Sequence, residues 1–182
     1  LVQTQDRLRV NPCICRKQKR LLDEGCDKPL ESCLAFGDAA DYYERLGVGR
    51  SIDREEALAI LERAEDAGRV LQPSNTQRAS FICCCCGECC EVLAIAKRHP
   101  RPAEILVSPF RAVVDEALCS ACGDCEFRCQ MEAIGVENGY AMVDHHRCIG
   151  CGLCVTTCPE EAVTLARKPE SEQAPVPRNR TS

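Results

Sequence analysis

Two stretches constrain this chain more tightly than the rest of it: CSACGDCEFRCQ, beginning at Cys119, and CIGCGLCVTTCP, beginning at Cys148. Both read C-x2-C-x2-C-x3-C, and the second starts 29 residues after the first. Their flanks repeat too. RAVVDEALC and YAMVDHHRC each set a short β-prone run before the first cysteine. MEAIGVENG and EEAVTLARK each read as a short helix followed by a strand-like run. Two copies of one loop–helix–strand unit predict pseudo-twofold symmetry for this part of the chain.

Four thiolates per cluster is what a 4Fe–4S cube requires, and a C-x2-C-x2-C loop wraps three of its corners. In a double motif of this kind the fourth cysteine of each run serves the other cluster. That assigns Cys119, Cys122, Cys125 and Cys158 to one cluster, and Cys148, Cys151, Cys154 and Cys129 to the other. Gly123, Gly150 and Gly152 are small enough for backbone amides to approach the sulfides and tune the potential. Zinc ribbons use C-x2-C pairs separated by longer loops, not runs of three with a fourth close behind. Disulfides need paired Cα distances that such a loop does not readily offer.

The eight cysteines, with Pro159 after the last, resemble the bacterial-type two-cluster ferredoxins over about Ser108 to Lys168. The resemblance implies an α+β fold of two short β-hairpins and two helices, carrying low-potential electrons one at a time. Gln130 stands where the family has a proline after Cys129. This departure bears on the local turn and the potential rather than on ligation.

The chain holds 18 cysteines in 182 residues, no Trp, and only 4% aromatic residues. Large packing side chains are scarce, so something besides an apolar core is expected to hold the fold. A cysteine density of this order fits either a secreted disulfide scaffold or a metal protein kept where thiols stay reduced. The cluster motif selects the second and predicts a cytoplasmic protein without structural disulfides. No signal peptide is visible and no apolar run is long enough to span a bilayer, which predicts no membrane insertion. Residue 1 is Leu rather than Met, so a preceding leader or domain is left open. The formal charge of −5 argues against a nucleic-acid partner.

Ten further cysteines precede the double motif in two irregular blocks. The first is Cys13, Cys15, Cys26 and Cys33, with Arg16, Lys17, Lys19 and Arg20 close behind Cys15 to lower thiol pKa values by charge. The second is FICCCCGECC, Phe81 to Cys90. If this run is extended, alternation places Cys83 and Cys85 on one side and Cys84 and Cys86 on the other. Gly87 permits a tight turn, and a helix over residues 88–98 would seat Cys89 and Cys90 in its first turn, with Val92, Leu93, Ile95 and Ala96 facing a core. Cys13, Cys15, Cys26, Cys33, Cys83, Cys85, Cys86, Cys89 and Cys90 are the candidate ligands of one or two further 4Fe–4S clusters, or of zinc. A C-x-C-R block, a helical spacer, a run such as ICCCCGECC and a C-terminal two-cluster domain together resemble a group of cysteine-rich bacterial and archaeal 4Fe–4S proteins.

Between the blocks the sequence reads as helical. Asp53 and Glu56 have capping-box spacing ahead of apolar residues at helical intervals, Gly68 is a stop, and a shorter helix covers residues 38–46. The expected architecture is α+β: a mainly helical cysteine-rich domain over residues 1–107, the two-cluster domain over 108–168, and a disordered tail over 169–182. The expected function is iron–sulfur electron transfer, as a carrier or as the electron-wiring module of a larger reductase. The expected partners are redox proteins such as an oxidoreductase. Oligomeric state and enzymatic activity are left open. The alternatives are an oxidoreductase with a catalytic cluster or activated thiol in the N-terminal domain, and a redox or metal sensor. His145 and His146 precede Cys148 and read as exposed loop residues or as groups that tune the nearby cluster.

Overall fold

The computed structural model describes residues 1–177, which form two units: Leu1–Cys90 with residues 176–177, and Glu91–Pro175. The first unit runs β1 (Leu8–Pro12), α1 (Ile14–Leu21), β2 (Glu31–Phe36), α2 (Asp38–Arg45), β3 (Arg50–Ile52), α3 (Arg54–Asp66), β4 (Val70–Pro73) and β5 (Phe81–Cys85). Its strands make one antiparallel sheet in the order β3–β1–β2–β5–β4. In the register Val10 lies opposite Leu34, Leu34 opposite Ile82, and Cys33 opposite Cys83. Strand alternation therefore gives each face a different character. Leu8, Val10, Leu34, Phe36 and Ile82 form a core with Ala57 and Ile60 of α3. The opposite face carries Arg9, Cys33, Cys83 and Cys85. Arg9 is buried because it donates to Val48 O (2.8 Å), Gly49 O (3.0 Å) and Ser51 Oγ (3.2 Å).

This unit corrects the expectation of a mainly helical N-terminal part, since a sheet is its organising layer. Helices α2 and α3 stand where the sequence places them. Asp53 accepts from Glu56 N at 2.8 Å, and Gly68 ends the turn at φ 71°. Strands β1, β3 and β4 are 3–5 residues long, too short for a clear period, and in β5 cysteines occupy two of the buried positions. Cys84 and Cys85 pack as small apolar side chains in β5, and Cys33 lies in the middle of β2. Read only as ligands, these residues conceal the strand pattern. A second correction concerns Cys89 and Cys90. The helix begins at Glu91, so both lie in the preceding turn, where Cys90 N donates to Cys86 O at 3.0 Å.

The second unit runs α4 (Glu91–Arg98), α5 (Pro102–Ile105), β6 (Phe110–Val114), α6 (Asp124–Arg128), β7 (Ile134–Glu137), β8 (Tyr140–Val143), α7 (Leu153–Thr156) and β9 (Val163–Arg167). Helix α4 buries Leu93 and Ala96, while Val92 and Ile95 are exposed. Strand β6 pairs antiparallel with β9, and β7 with β8. Backbone details recur at the spacing of the sequence repeat. Ala121 and Gly150 have φ 56° and 64°, Gly123 and Gly152 have 85° and 84°, and Glu132 and Glu161 have 53° and 52°. Asp115 N donates to Ala162 O, and Asp144 N to Ala133 O, each at 2.8 Å. Sheet and helix together make the chain a mixed, α+β-type protein.

Within the segment expected to be a disordered tail, Glu170–Glu172 form a 3-10 turn, tied by a 3.2 Å ion pair from Arg111 to Glu172. Residues 178–182 of that segment lie outside the described residues. No helix among the described residues is long and apolar enough to cross a membrane.

Candidate metal centres

Each C-x2-C-x2-C run bends around a hollow because its backbone takes left-handed turns. Ala121 and Gly123 supply them in the first run, Gly150 and Gly152 in the second. Gly150 is under the tighter constraint, since a Cβ there would collide with the carbonyl oxygen of Phe110. The cysteines lining the first hollow are Cys119, Cys122, Cys125 and Cys158. The second is lined by Cys148, Cys151, Cys154 and Cys129. In each case three cysteines of one run are joined by the last cysteine of the other. Apolar side chains complete the walls, Val136 and Val163 in the first, Met131, Ile134 and Leu153 in the second.

Backbone amides already point at the sulfurs. Ala141 N lies 3.4 Å from Cys119 Sγ, Ala112 N 3.5 Å from Cys148 Sγ, and Ala133 N 3.3 Å from Cys129 Sγ. An N–H donated to sulfur favours the thiolate and disperses its charge. Burial acts the other way, raising the Cys125 thiol and pushing Cys154 up to about 12. Such thiols stay protonated near neutrality until a metal displaces the proton. Four sulfurs disposed around an apolar hollow are the donor set of a 4Fe–4S cluster.

Residues 112–165 match the family of 4Fe-4S dicluster domains. The C-terminal part of the chain is a ferredoxin-type 4Fe–4S domain. Its role is iron–sulfur electron transfer, and 4Fe–4S clusters are its cofactors. No curated protein matches the chain.

The ferredoxin-type domain accounts for eight cysteines; the other ten lie in the first unit. Alternation along β5 sorts its thiols. On one face Cys83 accepts from Cys33 across the strand pair and from Cys85, and Cys85 also meets Cys90. These hydrogen bonds outweigh burial and hold Cys83 below the ordinary thiol value, while Cys33 and Cys85 are pushed up as its donors. Beyond the end of β5, Cys26, Cys86 and Cys89 bring their sulfurs within 4.8 Å of one another. Cys13 stands at the N-cap position of α1 without a side-chain capping hydrogen bond, and Cys15 lies in its first turn; neither joins that trio. Cys84 is buried, and burial pushes it up to about 11.

Two residues of this region carry more weight than the sequence suggested. Arg16, read there as one of a basic cluster, is fully buried and donates to Pro29 O (2.6 Å), Ser32 Oγ (2.8 Å) and Cys86 Sγ (3.5 Å). Arg69 is 3% exposed, and its Nε and Nη1 have no hydrogen-bond partner. Its neighbours Gly68 and Val70 give no hint of this, because an arginine after a helix stop is ordinarily solvated. His145 and His146 are both exposed, and the His146 ring lies 3.0 Å from Arg101 Nη2, which makes its Nδ1 an acceptor.

Proposed function

We propose that this protein is a cytoplasmic electron carrier, or the electron-wiring module of a larger reductase, with two 4Fe–4S clusters in its ferredoxin-type domain. One cluster is held by Cys119, Cys122, Cys125 and Cys158, the other by Cys148, Cys151, Cys154 and Cys129. The observation that carries this reading is the composition of the two hollows, each lined by three cysteines of one run and the fourth of the other. The paired torsions and hydrogen bonds of the repeat support a pseudo-twofold relation between the two sites.

When bound, each cluster supplies a one-electron couple. The chain provides the surroundings. Amides of Ala112, Ala133 and Ala141 disperse charge on three ligand sulfurs and favour the reduced state. Met131, Ile134 and Leu153 keep water from the second site. Cys122 and Cys151 are the middle cysteines of their runs and line the two hollows. Acidic residues Asp115, Glu116, Asp124 and Glu126 flank the first site and suit a redox partner with a basic docking surface.

The test is anaerobic purification of the full chain, followed by counts of iron and acid-labile sulfide and by electron paramagnetic resonance of the reduced protein. Two clusters require about eight irons per chain from these eight cysteines. Cys158→Ser and Cys129→Ser are expected to impair different clusters, with distinct spectral losses. A colourless protein whose Cys119–Cys158 thiols are bridged or bound to zinc would end the proposal.

A further inference from the structure

The trio Cys26, Cys86 and Cys89 lies outside the ferredoxin-type domain and has a different geometry. Cys86 and Cys89 are a C-x2-C pair, Cys-Gly-Glu-Cys, held as a turn by Cys89 N to Cys86 O at 3.4 Å. Cys26 comes from 60 residues earlier, yet its Sγ lies 3.8 Å from that of Cys86 and its backbone N–H points at Cys89 Sγ from 3.4 Å. The loop carrying Cys26 is fixed from several sides. Arg20 donates to Cys26 O and Lys28 O, Arg16 to Pro29 O, and Lys28 pairs with Glu88 in the turn between the two partner cysteines. This loop is therefore positioned rather than merely nearby.

Charge distinguishes the trio from ordinary buried cysteines. Arg16 is fully buried, and none of its partners among the described residues is a carboxylate. A guanidinium does not lose its proton in a protein. A buried charge of this kind favours an anion, and of the groups Arg16 donates to, the one able to become an anion is the sulfur of Cys86. Arg69, buried with two unpartnered nitrogens, is a second buried cation of this unit. A buried cation donating to one of three crowded sulfurs favours its thiolate, and crowded thiolates call for a metal.

The spacing selects the kind of metal. Sulfurs bound to one tetrahedral ion at about 2.3 Å lie about 3.8 Å apart. Sulfurs on different irons of a cube are separated by a metal–metal edge as well as two outward bonds, so they stand farther apart than this trio does. We propose that Cys26, Cys86 and Cys89 bind a single thiophilic divalent ion of the zinc class, with Arg16 as its buried counter-cation. Three thiolates and a divalent ion carry one net negative charge, which Arg16 neutralises. One tetrahedral position remains for a small ligand, as in zinc sites with three protein ligands. This site is independent of the two clusters of the electron-transfer reading.

The test uses the full chain, expressed with zinc supplied and purified anaerobically with a chelator wash. Zinc and iron are counted together, and zinc K-edge X-ray absorption is recorded on the wild-type protein, which needs no variant to fold. The expected result is about one zinc per chain with sulfur neighbours at about 2.3 Å. Cys26→Ser and Cys89→Ser should lose that zinc while iron is unchanged. Arg16→Gln should weaken zinc retention about 10–100-fold, the usual effect of removing a group that supports metal ligands. Absence of zinc from the wild type, a zinc signal with only oxygen or nitrogen neighbours, or a fall in iron in Cys26→Ser would overturn the proposal. Because iron is measured in the same sample, failure of the zinc site and failure of the two-cluster reading give different results.

Discussion

Glycines at matching places in the two motif loops are not equivalent, and the difference can be measured. Gly123 has φ 85° and open space where a Cβ would go, so Gly123→Ala bears only the torsional cost of a left-handed residue. That cost is about 1–2 kcal/mol. Gly150 has φ 64°, and in addition an alanine methyl would strike Phe110 O. Backbone cannot yield as a flexible side chain can. Gly150→Ala is therefore expected to cost clearly more than Gly123→Ala in chemical denaturation and to lower the iron content of its cluster preferentially. Equal effects would mean that the β6 backbone gives way freely. That Gly150 and Gly152 adjoin ligands is readable in the sequence; that Phe110 crowds one of them is not, because the contact spans 40 residues of chain.

The first unit depends on its sheet, and its elements predict their own sensitivities. Leu34 is fully buried at the centre of β2, between Val10 on one neighbouring strand and Ile82 on the other. Leu34→Ala should destabilise this unit by about 2–5 kcal/mol, the usual cost of emptying a core leucine site. Helix α3 is held at its start by Asp53, and Asp53→Ala should cost about 1 kcal/mol, read as a lower midpoint in urea. If Asp53→Ala proved as damaging as Leu34→Ala, the cap rather than the apolar face of α3 would be holding the layer together. The sequence announces α3 because a cap, a helical apolar period and a terminal glycine are all local. It leaves β5 a conditional reading, because four consecutive cysteines have no apolar–polar alternation to read.

For the molecule as a whole, the two units should respond differently to loss of metal. Helices α6 and α7 have 5 and 4 residues. Helices in isolation are marginal below about 12–15 residues, so these need an outside restraint. In the proposed arrangement Cys125 and Cys129 fasten α6 and its end to different clusters, and Cys154 and Cys158 do the same for α7. Stripping the clusters should therefore abolish amide-exchange protection in β7, β8, α6 and α7 together, while β1, β2 and β5 keep theirs. Retained protection throughout the iron-free protein would show that the apolar contacts of the ferredoxin-type domain suffice alone. Fluorescence is a poor probe for this experiment, because the chain has no Trp.

What could be read without coordinates was whatever the chain encodes over a short span. The C-x2-C-x2-C-x3-C runs are local sets of candidate ligands, and their duplication led to the exchange of fourth ligands as an expectation. The hollows bring together those same two sets of four. The irregular cysteines had no such rule. Cys26 and Cys86 are 60 residues apart, and they meet because the Arg20-fastened loop and the turn after β5 converge. Cys33 and Cys83 meet because β2 and β5 are neighbours in the sheet. Spacing along the chain is blind to strand pairing. It was equally blind to Arg16 and Arg69, whose burial is a matter of what surrounds them: a guanidinium donating to a carbonyl, a hydroxyl and a buried sulfur is a different chemical object from the same guanidinium in water.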